Sequence, residues 1–401
     1  MTVTKPQFEI GRLIEQYRQP LEGMGYLNAH HKRVFTNLQN CRTPKLGYHR
    51  EECDNEQCKH GLYSYNSCRD RHCPKCNGMK REKWLMDRKQ DLMPVKYFHT
   101  VFTVPEQVND LFVHYPVPLF NLLFTSAWET IRQFGLDHKH LGAQTGMVAI
   151  LHTWGQNLAF HPHVHCIVPG GGLTRQNTWK HTKGDGKFLY PVKALSKVFR
   201  GKFCDGLINL HNNKVIDMES PLDPQHKYLH PFYANKWVVY AKLPMHNPKQ
   251  VIDYLGRYTH RIAISNHRIK NVQDGEVTFS WFNYKTSKAG ELTLTAVEFL
   301  RRFAMHILPP GFMKIRHYGI LGARKKKTAL AAIRNFLDVK APESTKQMDW
   351  KAVFEMKFGH DPTRCPVCRN GQMQRVASVM APIRGSPKPD FKPNTEFYNQ
   401  K

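Results

Sequence analysis

The 401-residue chain has no run of roughly 20 apolar residues, which excludes a helical membrane span. It also has no basic amphipathic helix flanked by a lipidation signal, so an anionic membrane surface ranks behind other polyanions as a partner. Its opening, MTVTKPQFEIGRLIEQY, lacks the apolar stretch of a secretory signal, and the expected location is the cytoplasm. In that reducing compartment the ten cysteines are not expected to form disulfides. Internal repeats are missing, and so is the HExxH helix of a zinc hydrolase. Acidic residues are scarce: 32 Asp and Glu face 59 Lys and Arg, a formal net charge of +27. That excess is out of place in an enzyme for small neutral substrates and suits a nucleic-acid partner.

What is present alternates between helical and extended patterns. Phe8, Ile10, Leu13, Ile14 and Tyr17 recur at helical spacing, and residues 79–93 read as a basic helix. YFHTVFTVP within residues 95–105 reads as a strand ended by Pro105, and a helical stretch interrupted at Pro116 and Pro118 follows to about residue 138. Residues 147–154 and 161–172 predict an antiparallel hairpin, 192–209 a helix and 235–244 a strand. Asn247 and Pro248 are a helix cap and first turn for KQVIDYLGRYTH. Strands interleaved with helices predict an α+β fold with a largely antiparallel sheet. The expected organisation is a helical segment at 1–35, a zinc- and DNA-binding module at 36–93, a catalytic domain at 94–322 and a basic region at 323–401, loose beyond Cys368.

Six cysteines fall between positions 41 and 76, and that clustering points to metal. Zinc takes thiolate and imidazole in tetrahedral sets, and cysteines a few residues apart present two sulfurs from one turn. Cys53, Cys58, Cys73 and Cys76 are the expected quartet for Zn²⁺, with Cys41, His49, Cys68 and His72 as candidates for a second site. A redox role for Cys73 and Cys76 would need a thioredoxin-like context that is missing. Cys365 and Cys368 supply half a site. Among the interspersed basic residues, Arg69 and Arg71 are candidates for DNA contact, alongside Lys75, Lys80 and Arg81.

In HPHVHCIV, residues 161–168, side chains two apart share a strand face, so His161, His163 and His165 stand in one row opposite Val164, Cys166 and Val168. Such a row suits a divalent cation, with Pro162 able to disturb its first member. In VIDYLGRYTHR, Tyr254 and Tyr258 lie four apart and share a helix face. Two core aromatics are the ordinary meaning of that spacing, but Gly256, Arg257, His260 and Arg261 make the surroundings polar and basic.

The combination of HVHCIV, YLGRYTHRIAIS and the leading cysteine module resembles the HUH superfamily of single-strand endonucleases. More closely, it is similar to the two-tyrosine transposases of rolling-circle insertion sequences of the IS91 type. The resemblance runs from about Cys41 to Gly322 and includes YFHTVFTVP, EFLRRFAMHILPPGF and IRHYGILG. One departure is the four-residue gap between Cys53 and Cys58, where the family more usually has two.

The resemblance implies a palm-like antiparallel sheet flanked by helices, carrying His163 and His165 with the tyrosine helix laid across it. It implies Mg²⁺ or Mn²⁺ held by these two histidines and a third ligand, expected to be His161. Tyr254 or Tyr258 would attack a phosphodiester of single-stranded DNA to give a 5′-phosphotyrosine, with Arg257 and Arg261 steadying phosphates. The covalent bond would conserve the energy of the cut linkage, so rejoining needs no nucleotide cofactor. Alternatives are a zinc-containing DNA-binding regulator without catalysis, a replication-initiator-type nicking enzyme, and a zinc hydrolase acting on another substrate.

Overall fold

Ile10, Leu13, Ile14 and Leu21 form the buried stripe of α1 (Ile10–Gly23), and Val34, Phe35 and Leu38 that of α2 (Ala29–Gln39). Asn28 caps α2 by accepting a hydrogen bond from the His31 amide. A hairpin of β1 (Gly47–Cys53) and β2 (Gly61–Tyr65) leads to α3 (Gly78–Asp91) and β3 (Tyr97–Thr103). Next come α4 (Asn109–His114) and α5 (Pro116–Leu136), where Pro116 occupies the first turn without costing a hydrogen bond. β4 (Gly146–Trp154), β5 (Phe160–Pro169), β6 (Gly171–Leu173) and β7 (Trp179–His181) precede α6 (Val192–Asn212). The order continues with β8 (Val238–Ala241), α7 (Pro248–Tyr258), β9 (Ile269–Gln273), β10 (Glu276–Asn283), β11 (Lys288–Thr295) and α8 (Ala296–Met305). β12 (Ile315–Gly319), α9 (Lys326–Phe336), α10 (Trp350–Phe358) and β13 (Met373–Met380) complete it. This computed structural model describes residues 5–217, 232, 237–242, 245, 248–258, 262–283, 287–342 and 348–380.

The central sheet has the order β12-β4-β5-β3-β8, and every neighbouring pair is antiparallel. Alternation gives it two unlike faces. Phe98, Phe102, Ala149, Leu151, Val164, Cys166 and Val168 belong to one core with Leu123 and Phe124 of α5 and Phe199 and Phe203 of α6. Burying each large side chain there contributes on the order of 1.5–3 kcal/mol. The opposite face carries Val148, Ile150 and Ile167, which pack with Val251, Tyr254 and Leu255 of α7. The tyrosine helix therefore covers the face on which the histidines stand. The expected α+β fold with a helix-flanked antiparallel sheet is what the chain adopts.

A third core joins α1 and α2 to α8 and to Val277 and Phe279 of β10, in the β11-β10-β9 sheet. One stretch beyond Cys368 departs from the expected loose tail. Residues 373–380 are not loose but form β13, which pairs along the whole of β1 in a β13-β1-β2 sheet. The reason is long-range: β1 presents an open edge, and backbone donors and acceptors of an extended segment find partners there.

Candidate active site and metal centres

β5 brings His163 and His165 onto the α7 face of the sheet, both buried. The β4–β5 register sets His152 directly opposite His163, and the imidazole donors of His152, His163 and His165 all lie within 4.8 Å of one another. The third member of the cluster is thus His152 and not His161. His161 sits at the exposed start of β5, and its contribution is its carbonyl, which accepts a hydrogen bond from His163 Nδ1 at 2.6 Å. That bond fixes the His163 tautomer and leaves Nε2 free as a donor to a cation.

His163 Nε2 lies 3.1 Å from His165 Nε2. Two adjacent donors on an octahedral cation with bonds of about 2.1 Å are about 3 Å apart, so the pair is spaced for a shared ion. Burial pushes the His163 pKa down to about 4, which keeps it in the neutral, ligating form. The other nitrogen of His165 turns toward the helix: Nδ1 lies 3.1 Å from the Tyr254 phenolic oxygen and 2.9 Å from His99 Nε2. His99 Nε2 also makes a short hydrogen bond with the Tyr254 hydroxyl. Burial, reinforced by the nearby Lys242 charge, pushes His99 down to about 3, so that ring is neutral as well.

α7 ends at Tyr258, one turn beyond Tyr254. The side chains of Arg257 and Tyr258, and the whole of Arg261, lie outside the described residues. Trp154, next to the histidine cluster, also lines a cavity of about 460 Å³ together with Arg71, Trp84, Phe303 and Lys314. Trp154 stacks on His152 with ring centroids 4.8 Å apart, and Lys314 Nζ sits 4.9 Å from the same indole.

The cysteines divide differently from the expected grouping. Cys73 and Cys76 gather with Cys41 and Cys68, whereas Cys53 and Cys58 gather with Cys365 and Cys368. The cause is the β1–β2 hairpin. Its base is held by the Asn66 amide on the Gly47 carbonyl and the Arg42 amide on the Asn66 carbonyl, at 3.0 and 3.1 Å, so Cys68 returns beside Cys41. Cys53, at the far end of β1, is carried away from them and faces Met373 of β13.

His49 and His72 take no part in either group. His49 Nδ1 is 2.9 Å from Ser378 Oγ. His72 holds Asp70 through Nδ1 at 2.9 Å and accepts the Leu308 amide through Nε2 at 3.1 Å, so both its nitrogens are engaged. Arg69 and Arg71 are exposed on the Cys68–Cys76 loop, and Arg71 donates to the Phe312 carbonyl at 2.5 Å.

Comparison with known proteins gives this geometry a context. A family model described as “Putative transposase” matches residues 146–328, and one described as “Transposase zinc-binding domain” matches residues 10–104. Over 373 residues the chain is 40% identical to “Putative transposase y4qJ” of Sinorhizobium fredii (strain NBRC 101917 / NGR234), covering 90% of this chain and 92% of the relative. The chain belongs to this transposase family.

The transposase is also 27% identical over 342 residues to “Transposase for insertion sequence element IS801” of Pseudomonas savastanoi pv. phaseolicola, covering 84% of this chain and 81% of that one. No solved structure matches it significantly. It is an HUH-type transposase of the IS91 type with an N-terminal zinc-binding domain. Among the described residues no helix is long and apolar enough to cross a membrane.

Cys41, Cys68, Cys73 and Cys76 all lie inside the matched zinc-binding domain. Four sulfurs about 2.3 Å from one zinc ion are about 3.8 Å apart at the tetrahedral angle. Cys41–Cys76, Cys41–Cys73 and Cys68–Cys76 stand at 3.1, 3.5 and 3.6 Å, so this set fits Zn²⁺ after a small expansion. The three imidazoles fit a divalent cation such as Mg²⁺ or Mn²⁺.

His152 and His99 of the transposase lie outside the expected set of site residues. Both occupy alternate positions of strands that were themselves recognised, in AILHTW and YFHTVF. Only the pairing register shows that they share a face with His163 and His165.

Proposed function

We propose that this transposase nicks and rejoins single-stranded DNA through a 5′-phosphotyrosine, driving rolling-circle transposition, with Tyr254 as a nucleophile. The observation that carries the reading is the 3.1 Å approach of the Tyr254 hydroxyl to His165 Nδ1, since the same imidazole turns its Nε2 into the histidine cluster. A phenol with no chemistry to do would not need a seat between two buried imidazoles. A DNA-binding regulator without catalysis leaves this arrangement without a task.

A divalent cation bound at the histidine cluster would neutralise the non-bridging phosphate oxygens that repel an incoming nucleophile. His152, His163 and His165 would hold it, with His163 oriented by the His161 carbonyl. His99 and His165 fix the Tyr254 oxygen, so its lone pair is aimed before DNA arrives. The tyrosine oxygen bonds to phosphorus, the P–O3′ bond breaks with its electron pair on O3′, and the phenolic proton reaches that oxygen through solvent. In the reverse step a 3′-hydroxyl attacks and the tyrosine leaves.

Tyr258 is the second nucleophile in this reading, able to open another strand while Tyr254 holds the first. Arg257 and Arg261 steady phosphates, while Arg69 and Arg71 follow the backbone. Trp84 and Trp154 in the adjoining cavity offer rings on which unpaired bases stack.

The test is covalent trapping on a single-stranded oligonucleotide. The wild-type protein with Mn²⁺ should give a protein–DNA adduct at the 5′ end of the downstream fragment, mapped by mass spectrometry to tyrosine. An adduct that persists in the Tyr254→Phe, Tyr258→Phe double variant would sink the proposal.

A further inference from the structure

We propose that Cys53, Cys58, Cys365 and Cys368 bind a second zinc ion, which clamps the end of β1 to the C-terminal segment. Their sulfurs lie within 4.8 Å of one another, with Cys53–Cys368 at 3.6 Å and Cys58–Cys365 at 3.8 Å. Those separations match the roughly 3.8 Å of a tetrahedral ZnS₄ centre and are far beyond the roughly 2.05 Å of a disulfide. Two disulfides would not need all four sulfurs together; one metal ion does.

The loops around the sulfurs are built for the purpose. Cys53 and Cys58 flank one turn, Cys365 and Cys368 another, and the residue after the second cysteine of each turn is left-handed: Lys59 at φ 45° and Arg369 at φ 59°. The same backbone feature follows Cys41 and Cys68 in the zinc-binding domain, at Arg42 and Arg69, both with φ 56°. Such turns aim amides at sulfur, and the Gly371 amide is 3.4 Å from Cys368 Sγ. Gly371 must be glycine, because a Cβ there would stand 2.4 Å from Cys53 Sγ.

The two turns are also bound to each other. The Asp54 amide donates to the Gln372 carbonyl at 3.0 Å, and the Gln372 amide to Asp54 Oδ1 at 2.7 Å. Beyond them β13 pairs with β1. Closing so long a stretch of chain with a metal restricts the unfolded state strongly, so the clamp stabilises a sheet whose strands are remote in sequence. Cys53 and Cys58 fit this site in spite of their wider spacing, because their partners come from the other end of the chain.

The experiment is metal analysis of the purified full-length protein by mass spectrometry, with amide hydrogen exchange as a second readout. Wild type should hold two zinc ions per chain, and Cys365→Ser with Cys368→Ser should hold one. In that variant, exchange across residues 373–380 should accelerate at least tenfold while α5 stays protected. Zinc content equal in wild type and variant overturns the proposal, as does iron in place of the second zinc. Should the double variant fail to fold, cobalt substitution of the wild-type chain decides: thiolate-to-cobalt absorption should correspond to two four-sulfur centres, and absorption from one alone overturns the site.

Discussion

His152 and His163 face each other across neighbouring strands of the central sheet, and their imidazoles meet edge to face with centroids 5.6 Å apart. The pair makes the cation site a property of the sheet and not of one strand. His152→Ala should therefore weaken Mn²⁺ binding about 10–100-fold, while His161→Ala changes it less than about threefold. Isothermal titration of both variants checks this, and equal losses would return His161 to the site.

His99 touches the tyrosine without being part of the three-imidazole cluster. His99→Gln should slow adduct formation about 10–100-fold and leave Mn²⁺ affinity unchanged, because what is lost is the aim of the phenol. Single-turnover cleavage over a Mn²⁺ series separates the two effects. A changed Mn²⁺ midpoint with an unchanged maximal rate would make His99 a support of the cation site.

Phe199 is packed among Phe102, Phe203 and Trp237 on the sheet face away from the histidines. Phe199→Ala should cost about 3–5 kcal/mol of stability, seen as a lower urea midpoint. Cleavage by the folded fraction should be unaltered. A loss of rate without a loss of stability would show that the helical layer reaches the chemistry.

Acid should destabilise the fold in a defined window. Burial pushes His306 down to about 4, and burial together with Arg88 and Lys326 does the same to His317. Unfolded, each titrates near about 6.5. Above that pH both are neutral in either state and their contribution is complete. As pH falls from about 6.5 toward 4, only the unfolded chain takes up the protons, and stability drains away. His306→Asn should show a shallower fall in urea midpoint between pH 7.5 and 5.5 than wild type. Parallel slopes would contradict the assignment.

The strands, the long helices and the shared strand face of His163 and His165 were legible because each follows from local periodicity, whereas the placing of the tyrosine helix across that face came from the family resemblance and not from the pattern of residues. His152 was not, since its place depends on a register shift between His152 and Trp154 in the β4–β5 pairing. Counting back from the turn would have set the wrong residue opposite His163. The cysteine grouping was hidden for a related reason: proximity in sequence suggested partners that the β1–β2 hairpin pulls apart. Nothing near Cys365 hints that its companions lie some three hundred residues earlier. The strand at 373–380 has weak local character and takes shape against the edge of β1.

That edge sets the timetable of maturation. Cys53 waits for Cys368, 315 positions downstream, and β1 gains its second neighbour only when β13 arrives. A ribosome must pass residue 380 before the sheet around residues 47–53 is closed, so fragments that stop short of β13 leave β1 with an open seam.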